Sequence, residues 1–342
     1  MKAIRMVEAG KPLELQNIPI PSIGEKDILV RVRAAGICHS DAHYRGGRSV
    51  MGMMPITLGH EVAGEIERVG SQVTTLASGD RVALHYNLSC GDCYYCSAGN
   101  EQFCATVRML GHHVDGGYAE YIAAPARNAI PLPEEISFEE GATLMCASAT
   151  ALHALRKGRV KAGERVAIFG VGGLGLSAIQ LAKAMGAVEV YAVDIKQDKL
   201  ELASEYGAIP VDATRCDAVE EIRRLTRGRG VDVALEMIGL QRTMKQTIEC
   251  TGVMGRAVIV GLSRDPLEVN PYATLIGHEA EIIGSNDHLL QELPLLVDMA
   301  RRKILDTSRV VSQVLPLDAQ RINQRLDDLE HFTSDVRAVI VP

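Results

Sequence analysis

Up to about residue 130 the apolar positions fall in short β-type runs, ILVRVRAAGI (28–37), HEVAGEIERVG (60–70) and RVALHY (81–86), cut by Gly, Pro, Ser and Asp. That texture predicts a mainly β domain with irregular loops. From Arg165 the pattern changes to alternation of strand and helix. RVAIF leads to a helical pattern through AIQLAKAMG, then VEVYAV, then a second helical stretch, KQDKLELASEYG. VDVALEMIG, GRAVIVG and AEIIGS add further apolar runs. Strands apolar on both faces with helices between them predict a doubly wound parallel sheet, so the fold class is α/β. After about residue 287 come the helical LLQELPLLVDMARR and a closing apolar run, VRAVIVP. This tail is too short for a further domain and is expected to pack back onto one of the other two.

The turn after RVAIF changes the picture from architecture to chemistry. Gly170, Gly172 and Gly175, with Gly173 and Leu174 between them, fit G-x-G-x-x-G at the point where a strand hands over to a helix. Gly170 permits the tight turn, Gly172 lets backbone approach a pyrophosphate, and Gly175 lets helix and strand pack closely. The helix N-terminus then offers free N–H groups to phosphate. Asp194 closes the next strand, where a carboxylate accepts from a ribose diol and repels a 2′-phosphate, favouring NAD over NADP; its alternative is a helix cap. Lys199, about a turn into the following helix, is either a ribose contact or a solvated lysine.

Composition narrows the class. The 342 residues exceed one ordinary core, and 47% hydrophobic against 23% charged residues describe a globular protein. A net charge of -7 without basic runs argues against nucleic acid and anionic membranes as partners. Charges interrupt every apolar run of the N-terminus, so no secretory signal is read and a cytoplasmic location is expected. The uncharged stretch from Val166 to Ala182 holds four glycines, which suits strand, turn and helix better than a membrane span.

Eight cysteines in a reducing compartment point to metal ligation or buried thiols. Cys90, Cys93, Cys96 and Cys104 follow C-x2-C-x2-C-x7-C, and four thiolates at that spacing can close a tetrahedral zinc shell. Iron and sulfur also use four cysteines, but the spacing does not match the ferredoxin runs. A closed shell leaves no place for substrate, so this is expected to be a structural site.

Three other segments carry reactive residue types: GICHSDAH (36–43), TLGHEVAGE (57–65) and TLMCASAT (143–150). With the four-cysteine segment and GVGGLG in this order, the chain resembles the zinc-dependent medium-chain alcohol dehydrogenases essentially from end to end. The resemblance implies a GroES-like catalytic domain from 1–147 and 287–342, a Rossmann coenzyme domain from 148–286, and an active site in the cleft between them. It makes Cys38, His60 and Cys146 the ligands of a catalytic zinc with its fourth place open, giving two zinc ions per chain with NAD as coenzyme. It places Asp41 and Glu61 behind the ligands, His39 at the coenzyme pyrophosphate, Thr150 near the nicotinamide, and Val260 to Leu262 at its carboxamide. It implies that Ser40 takes the proton from bound alcohol and that His43 passes it to solvent. Tyr86 matches a wall of the substrate pocket.

The activity implied is reversible oxidation of primary or secondary alcohols. Polyol, cyclic-alcohol or hydroxyacyl substrates, or a catalytically silent NAD-binding protein, are the alternatives. An intact ligand set argues against the silent form. The chain length resembles the tetrameric members, so a homotetramer is expected. The methionine-rich loop Arg45 to Pro55 reads either as a pocket lining or as a plain loop, and His112 and His113 receive no role.

Overall fold

The computed structural model describes residues 1–331 and 337–342. Its chain divides into two compact units, Met1–Cys146 with Leu289–Pro342, and Ala147–His288. Val336, the first residue of the expected closing apolar run, lies outside the described residues.

The first unit is built on antiparallel pairing around the long strand Asp27–Ile37, whose burial alternates at Arg31 and Arg33 and then becomes continuous toward its C-terminal end. Glu61–Val69 and Tyr121–Pro125 pair with it, and Ala338–Val341 closes against it from the far end of the chain. Register sets the site: Gly36 lies opposite Glu61 and Ile37 opposite Ala338, so the ends that carry chemistry are brought side by side. A second small sheet orders Glu14–Asn17, Lys2–Met6 and Ile56–Thr57. The core between them is aliphatic, with Ile28, Val30, Val62, Leu84, Ile122 and Ile340 among its buried members.

Helices are sparse here and serve the site. His39–Arg45 begins directly after the central strand, with Cys38 at its N-cap and the Asp41 carboxylate turned back to the Cys38 N–H. Phe138–Thr143 is started by the Ser137 and Glu140 capping box and widens into a π turn, Leu144–Ser148, that carries Cys146. The expected mainly β texture therefore omitted short helical pieces such as these. They are too brief for a 3.6-residue pattern to show in the sequence.

The second unit is a six-stranded parallel sheet. Its order is Ile209–Asp212, Glu189–Asp194, Arg165–Phe169, Val231–Glu236, Thr251–Ile259, Glu281–Gly284. The first strand in sequence, Arg165–Phe169, sits centrally, and the order reverses beside it. That reversal is where an open α/β sheet leaves a crevice at its strand C-termini. Val166 to Phe169 and Val233 to Leu235 are fully buried because helices cover both faces. Among the described residues no helix is long and apolar enough to cross a membrane.

Candidate active site

Cys38, His60, Glu61 and Cys146 are all buried, and each offers an atom within 4.8 Å of the others. The two thiol sulfurs stand 4.0 Å apart. Ligands about 2.3 Å from a tetrahedral zinc are separated by roughly 3.8 Å, so the spacing fits a metal. The atoms around the set fit one as well. His60 Nδ1 faces Asp41 Oδ1 at 3.3 Å, which leaves Nε2 as the ring nitrogen for the cluster. Glu61 Oε1 pairs with Arg337, while its buried Oε2 has no hydrogen-bond partner among the described residues.

Electrostatics favour the anionic, ligating form of sulfur. Hydrogen bonding with Cys146 holds the Cys38 thiol well below its usual range, against the opposing effect of burial, and the Arg337 and His60 charges add to the effect. Burial pulls His60 down, yet the charge and hydrogen bond of Asp41, with Cys38 behind them, push it up to about 10. The cavity is thus arranged for compensated charge rather than for neutral packing, and a divalent cation would complete it.

The helix His39–Arg45 surrounds this cluster with polar groups. Ser40 Oγ lies 3.8 Å from Cys38 Sγ, and the His39 and His43 rings meet edge to face at 4.7 Å, four residues apart on one helix face. Burial lowers the pKa of both histidines below 6.5, so both are neutral proton acceptors at pH 7. Tyr86 packs edge-on against His60 with ring centroids 5.1 Å apart and is 5% exposed. Two residues that sequence reasoning passed over also converge here. Arg337 supplies the charge opposite Glu61, and Tyr118 donates to Asp41 Oδ2 at 2.8 Å. The Tyr118 phenol is pushed well above 10 by burial and then by the Asp41 charge, so it remains a donor.

The residues left without a role make local contacts. Met51 lies against the core while Met53 and Met54 are 39% and 41% exposed. Arg45 is buried against Asn323, Asp327 and Glu330. His112 Nε2 meets Ser49 Oγ at 3.0 Å, and His113 Nδ1 accepts from the Met109 N–H.

The second cysteine cluster is local. Cys90 Sγ lies 3.8 Å from Cys96 Sγ and 3.5 Å from Cys104 Sγ, close to a tetrahedral edge of roughly 3.8 Å. Cys93 N-caps the short helix Tyr94–Ser97 that carries Cys96, and all four sulfurs lie within 4.8 Å of one another. Burial raises the Cys104 thiol, but the Cys90 N–H and the Thr106 hydroxyl bring it down to about 6. Four thiols so placed could close around an ion, with no further position left.

In the second unit the glycine loop has the shape the motif requires. Gly170 adopts φ +96, and a Cβ on Gly175 would stand 2.0 Å from the Gly170 carbonyl oxygen. Around Gly172 nothing of the chain comes within 4 Å of a Cβ position, so the space before the helix Gly173–Ala184 is clear. That helix has no side-chain N-cap, which leaves its first N–H groups for a ligand such as pyrophosphate. Asp194 joins the loop: Oδ2 accepts from Val171 N at 2.7 Å and Oδ1 from Ile195 N and Lys196 N. These bonds order the turn, while the helix Gln197–Glu205 has no side-chain cap, so the alternative of Asp194 as its cap is not realised. Ordering the turn and recognising a ribose are not exclusive, because Oδ2 keeps one acceptor direction open.

Lys199 is half-buried in the Gln197–Glu205 helix, and Thr150 is buried in Ala149–Lys157. Val260 and Leu262 follow the Thr251–Ile259 strand. Val260 N donates to the Glu236 carbonyl, and a Cβ on Gly239 would touch the Leu262 carbonyl oxygen at 2.4 Å. Sequence reasoning missed Glu236, whose fully buried carboxylate accepts from Ile238 N, Gly239 N and the Thr243 hydroxyl and so ties down this loop. The available signal was an acid directly after the apolar run Val233 to Leu235.

Comparison with known proteins adds to this geometry. A family model described as the alcohol dehydrogenase GroES-like domain matches residues 24–134, and one described as zinc-binding dehydrogenase matches residues 173–301. The chain is 36% identical to an NAD-dependent alcohol dehydrogenase of Sulfurisphaera tokodaii over the whole of both chains. It is 38% identical to an L-threonine 3-dehydrogenase of Symbiobacterium thermophilum over 81% of this chain and 79% of that one. Among solved structures, a protein of Sinorhizobium meliloti described as a zinc-binding dehydrogenase, bound to NADP, superposes with a TM-score of 0.91 at 32% identity, covering 100% of this chain and 99% of that one.

Proposed function

Since the chain belongs to the zinc-dependent medium-chain dehydrogenases, we propose that it is an NAD-dependent alcohol dehydrogenase interconverting a primary or secondary alcohol with its aldehyde or ketone. The observation that carries this is the buried set of two thiols and one imidazole in one unit. Three protein ligands are the mark of a zinc site that works on substrate, just as four are the mark of one that does not. A zinc ion held by Cys38, His60 and Cys146 supplies a Lewis acid with a place open to a substrate oxygen.

The chain's own residues provide the rest. Asp41 orients His60 through Nδ1, and Glu61, balanced by Arg337, keeps an oxygen directed at the ligand set. Ser40 takes the proton of the alcohol and His43, neutral at pH 7, receives it on the way to solvent. In this reading His39 meets the pyrophosphate, and Tyr86, packed beside His60, forms an apolar wall. In the other unit Gly170, Gly172, Gly173, Leu174 and Gly175 hold the dinucleotide. Asp194 with Lys199 selects the ribose diol of NAD over a 2′-phosphate, while Thr150, Val260 and Leu262 serve the nicotinamide. Cys90, Cys93, Cys96 and Cys104 hold a second, structural zinc.

The assembly proposed is a homotetramer in the cytoplasm. Support for association comes from the edge strand Glu281–Gly284, paired on one side only among the described residues, and from exposed Val253, Met254, Tyr272 and Ile276 in the same unit. Support for a reducing compartment comes from eight free cysteines. The deciding experiment is NADH formation against a panel of aliphatic, aromatic, cyclic and polyol alcohols. Turnover is expected with at least one alcohol class and is expected to vanish in Cys38→Ala. Undiminished turnover in Cys38→Ala overturns the proposal.

A further inference from the structure

Tyr118 occupies an unusual position between the two chain segments that present Cys38 and His60. The residues before it zip along the loop that leads into His60: Gly116 N donates to Thr57 O, Gly117 N to Gly59 O and Tyr118 N to Leu58 O, at 2.8, 2.7 and 3.0 Å. On the other side its carbonyl accepts from Ile4 N at 2.8 Å, so the backbone is fixed to both neighbours. The ring then lies on Gly59, which adopts φ +94; a Cβ there would stand 2.3 Å from Tyr118 Cδ1. Only glycine fits between the ring and the ligand loop, and this accounts for the residue preceding His60.

From that seat the side chain, 0% exposed, reaches Asp41. Asp41 is also 0% exposed and has few groups to answer its charge. Oδ2 accepts from the Cys38 N–H at 2.9 Å and from the Tyr118 hydroxyl at 2.8 Å, and Oδ1 looks toward His60 Nδ1 at 3.3 Å. Two donors on one oxygen fix the rotation of the carboxylate, and that rotation decides where the other oxygen points. The Cys38 N–H alone would leave it free to swing about a single bond. A buried carboxylate also loses stabilisation with each donor removed.

We propose that Tyr118 is a positioning residue of the three-ligand metal centre, its hydroxyl locking Asp41 in the orientation that aims His60 at the metal. This rests on the zinc site assigned above. The hydroxyl touches neither substrate nor metal; it acts through Asp41 on His60, and through its ring on the loop that carries His60. Phenylalanine would keep the ring contact with Gly59 and remove the lock alone.

The test is Tyr118→Phe in the full chain, read as zinc retained per chain under competition with a graded chelator, with the four-cysteine zinc as internal control. Loss of a group supporting a ligand costs about 10–100-fold in metal affinity, and the lower end is expected for one acting at one remove. The three-ligand zinc should therefore be released at about tenfold lower chelator, while the four-cysteine zinc is unchanged. Asp41→Asn supplies the second arm: with the carboxylate already altered, adding Tyr118→Phe should cause no further loss. Retention within twofold of wild type, or a full additional loss in the double variant, overturns the role given to Tyr118. A wild-type chain that holds only the four-cysteine zinc overturns the metal centre itself, which is a distinguishable result.

Discussion

Glu236→Gln is the sharpest test of how the coenzyme unit holds its binding loop. The carboxylate is fully buried and, among the described residues, is answered by N–H and O–H groups rather than by a cation. Oε1 accepts from Ile238 N at 3.0 Å, Gly239 N at 2.9 Å and Thr243 Oγ1 at 2.6 Å, and Oε2 from Gly239 N at 3.1 Å. Glutamine keeps the volume and lets its oxygen replace Oε1. Its NH2 then points at the Gly239 N–H, donor against donor. Hydrogen bonds to a charged acceptor contribute about 1.5–3 kcal/mol each and neutral ones about 0.5–1.5, so three weakened bonds come to about 3–4.5 kcal/mol. At about 2–4 °C per kcal/mol the unfolding midpoint should fall by about 6–18 °C. Calorimetry reads the midpoint, and fluorescence titration reads NADH affinity. Affinity should weaken because the Glu236 side chain holds Ile238 and Gly239, while its backbone carbonyl holds Val260 and Gly261, so a shift at the carboxylate disturbs both segments. A midpoint unchanged within about 1 °C, together with an unchanged Kd for NADH, would refute the reasoning.

The two cysteine clusters should separate cleanly. Wild type should carry two zinc ions by atomic emission; Cys38→Ala should lose one together with turnover, whereas Cys93→Ala should lose the other and mainly the thermal midpoint. Cofactor choice follows Asp194: kcat/KM should favour NAD by about 100-fold or more, and Asp194→Ser should narrow the gap by about 10-fold through removing the charge that repels a 2′-phosphate. Equal use of both coenzymes by wild type would contradict that role. His43→Gln should slow turnover by up to about 100-fold at pH 7, the low end of general-base effects. Because burial lowers the His43 pKa, the wild-type base stays available as pH falls through 6.5 and is lost only below that. The deficit in His43→Gln should shrink as pH rises toward 9 and hydroxide replaces the missing base. A deficit independent of pH would remove His43 from the proton path.

Much of this protein is legible in the order of its amino acids, and what is legible there is local. The strands of the parallel sheet stand where RVAIF, VEVYAV and VDVALEMIG place them, because a strand covered on both faces has to be mostly apolar. The glycine loop and the four-cysteine segment are readable for the same reason. Their parts lie within 15 residues of one another, so spacing alone nearly determines geometry.

The three-ligand centre is different in kind. Cys38 and Cys146 are 108 residues apart, Asp41 and Tyr118 are 77 apart, and Glu61 and Arg337 are 276 apart. No periodicity links such positions. Family resemblance singled out the ligands, but Tyr118, Arg337 and Glu236 had no signal beyond an aromatic, a base and an acid in apolar runs. Their partners are chosen by strand register and by the cost of burying a polar group without an answering one. The amino-acid order determined which segments become strands and which cysteines can close a shell by themselves. Tertiary structure decided which distant charges must meet, because only after the Asp27–Ile37 strand is flanked by Glu61–Val69 and Ala338–Val341 is there a dry interior in which those charges need one another.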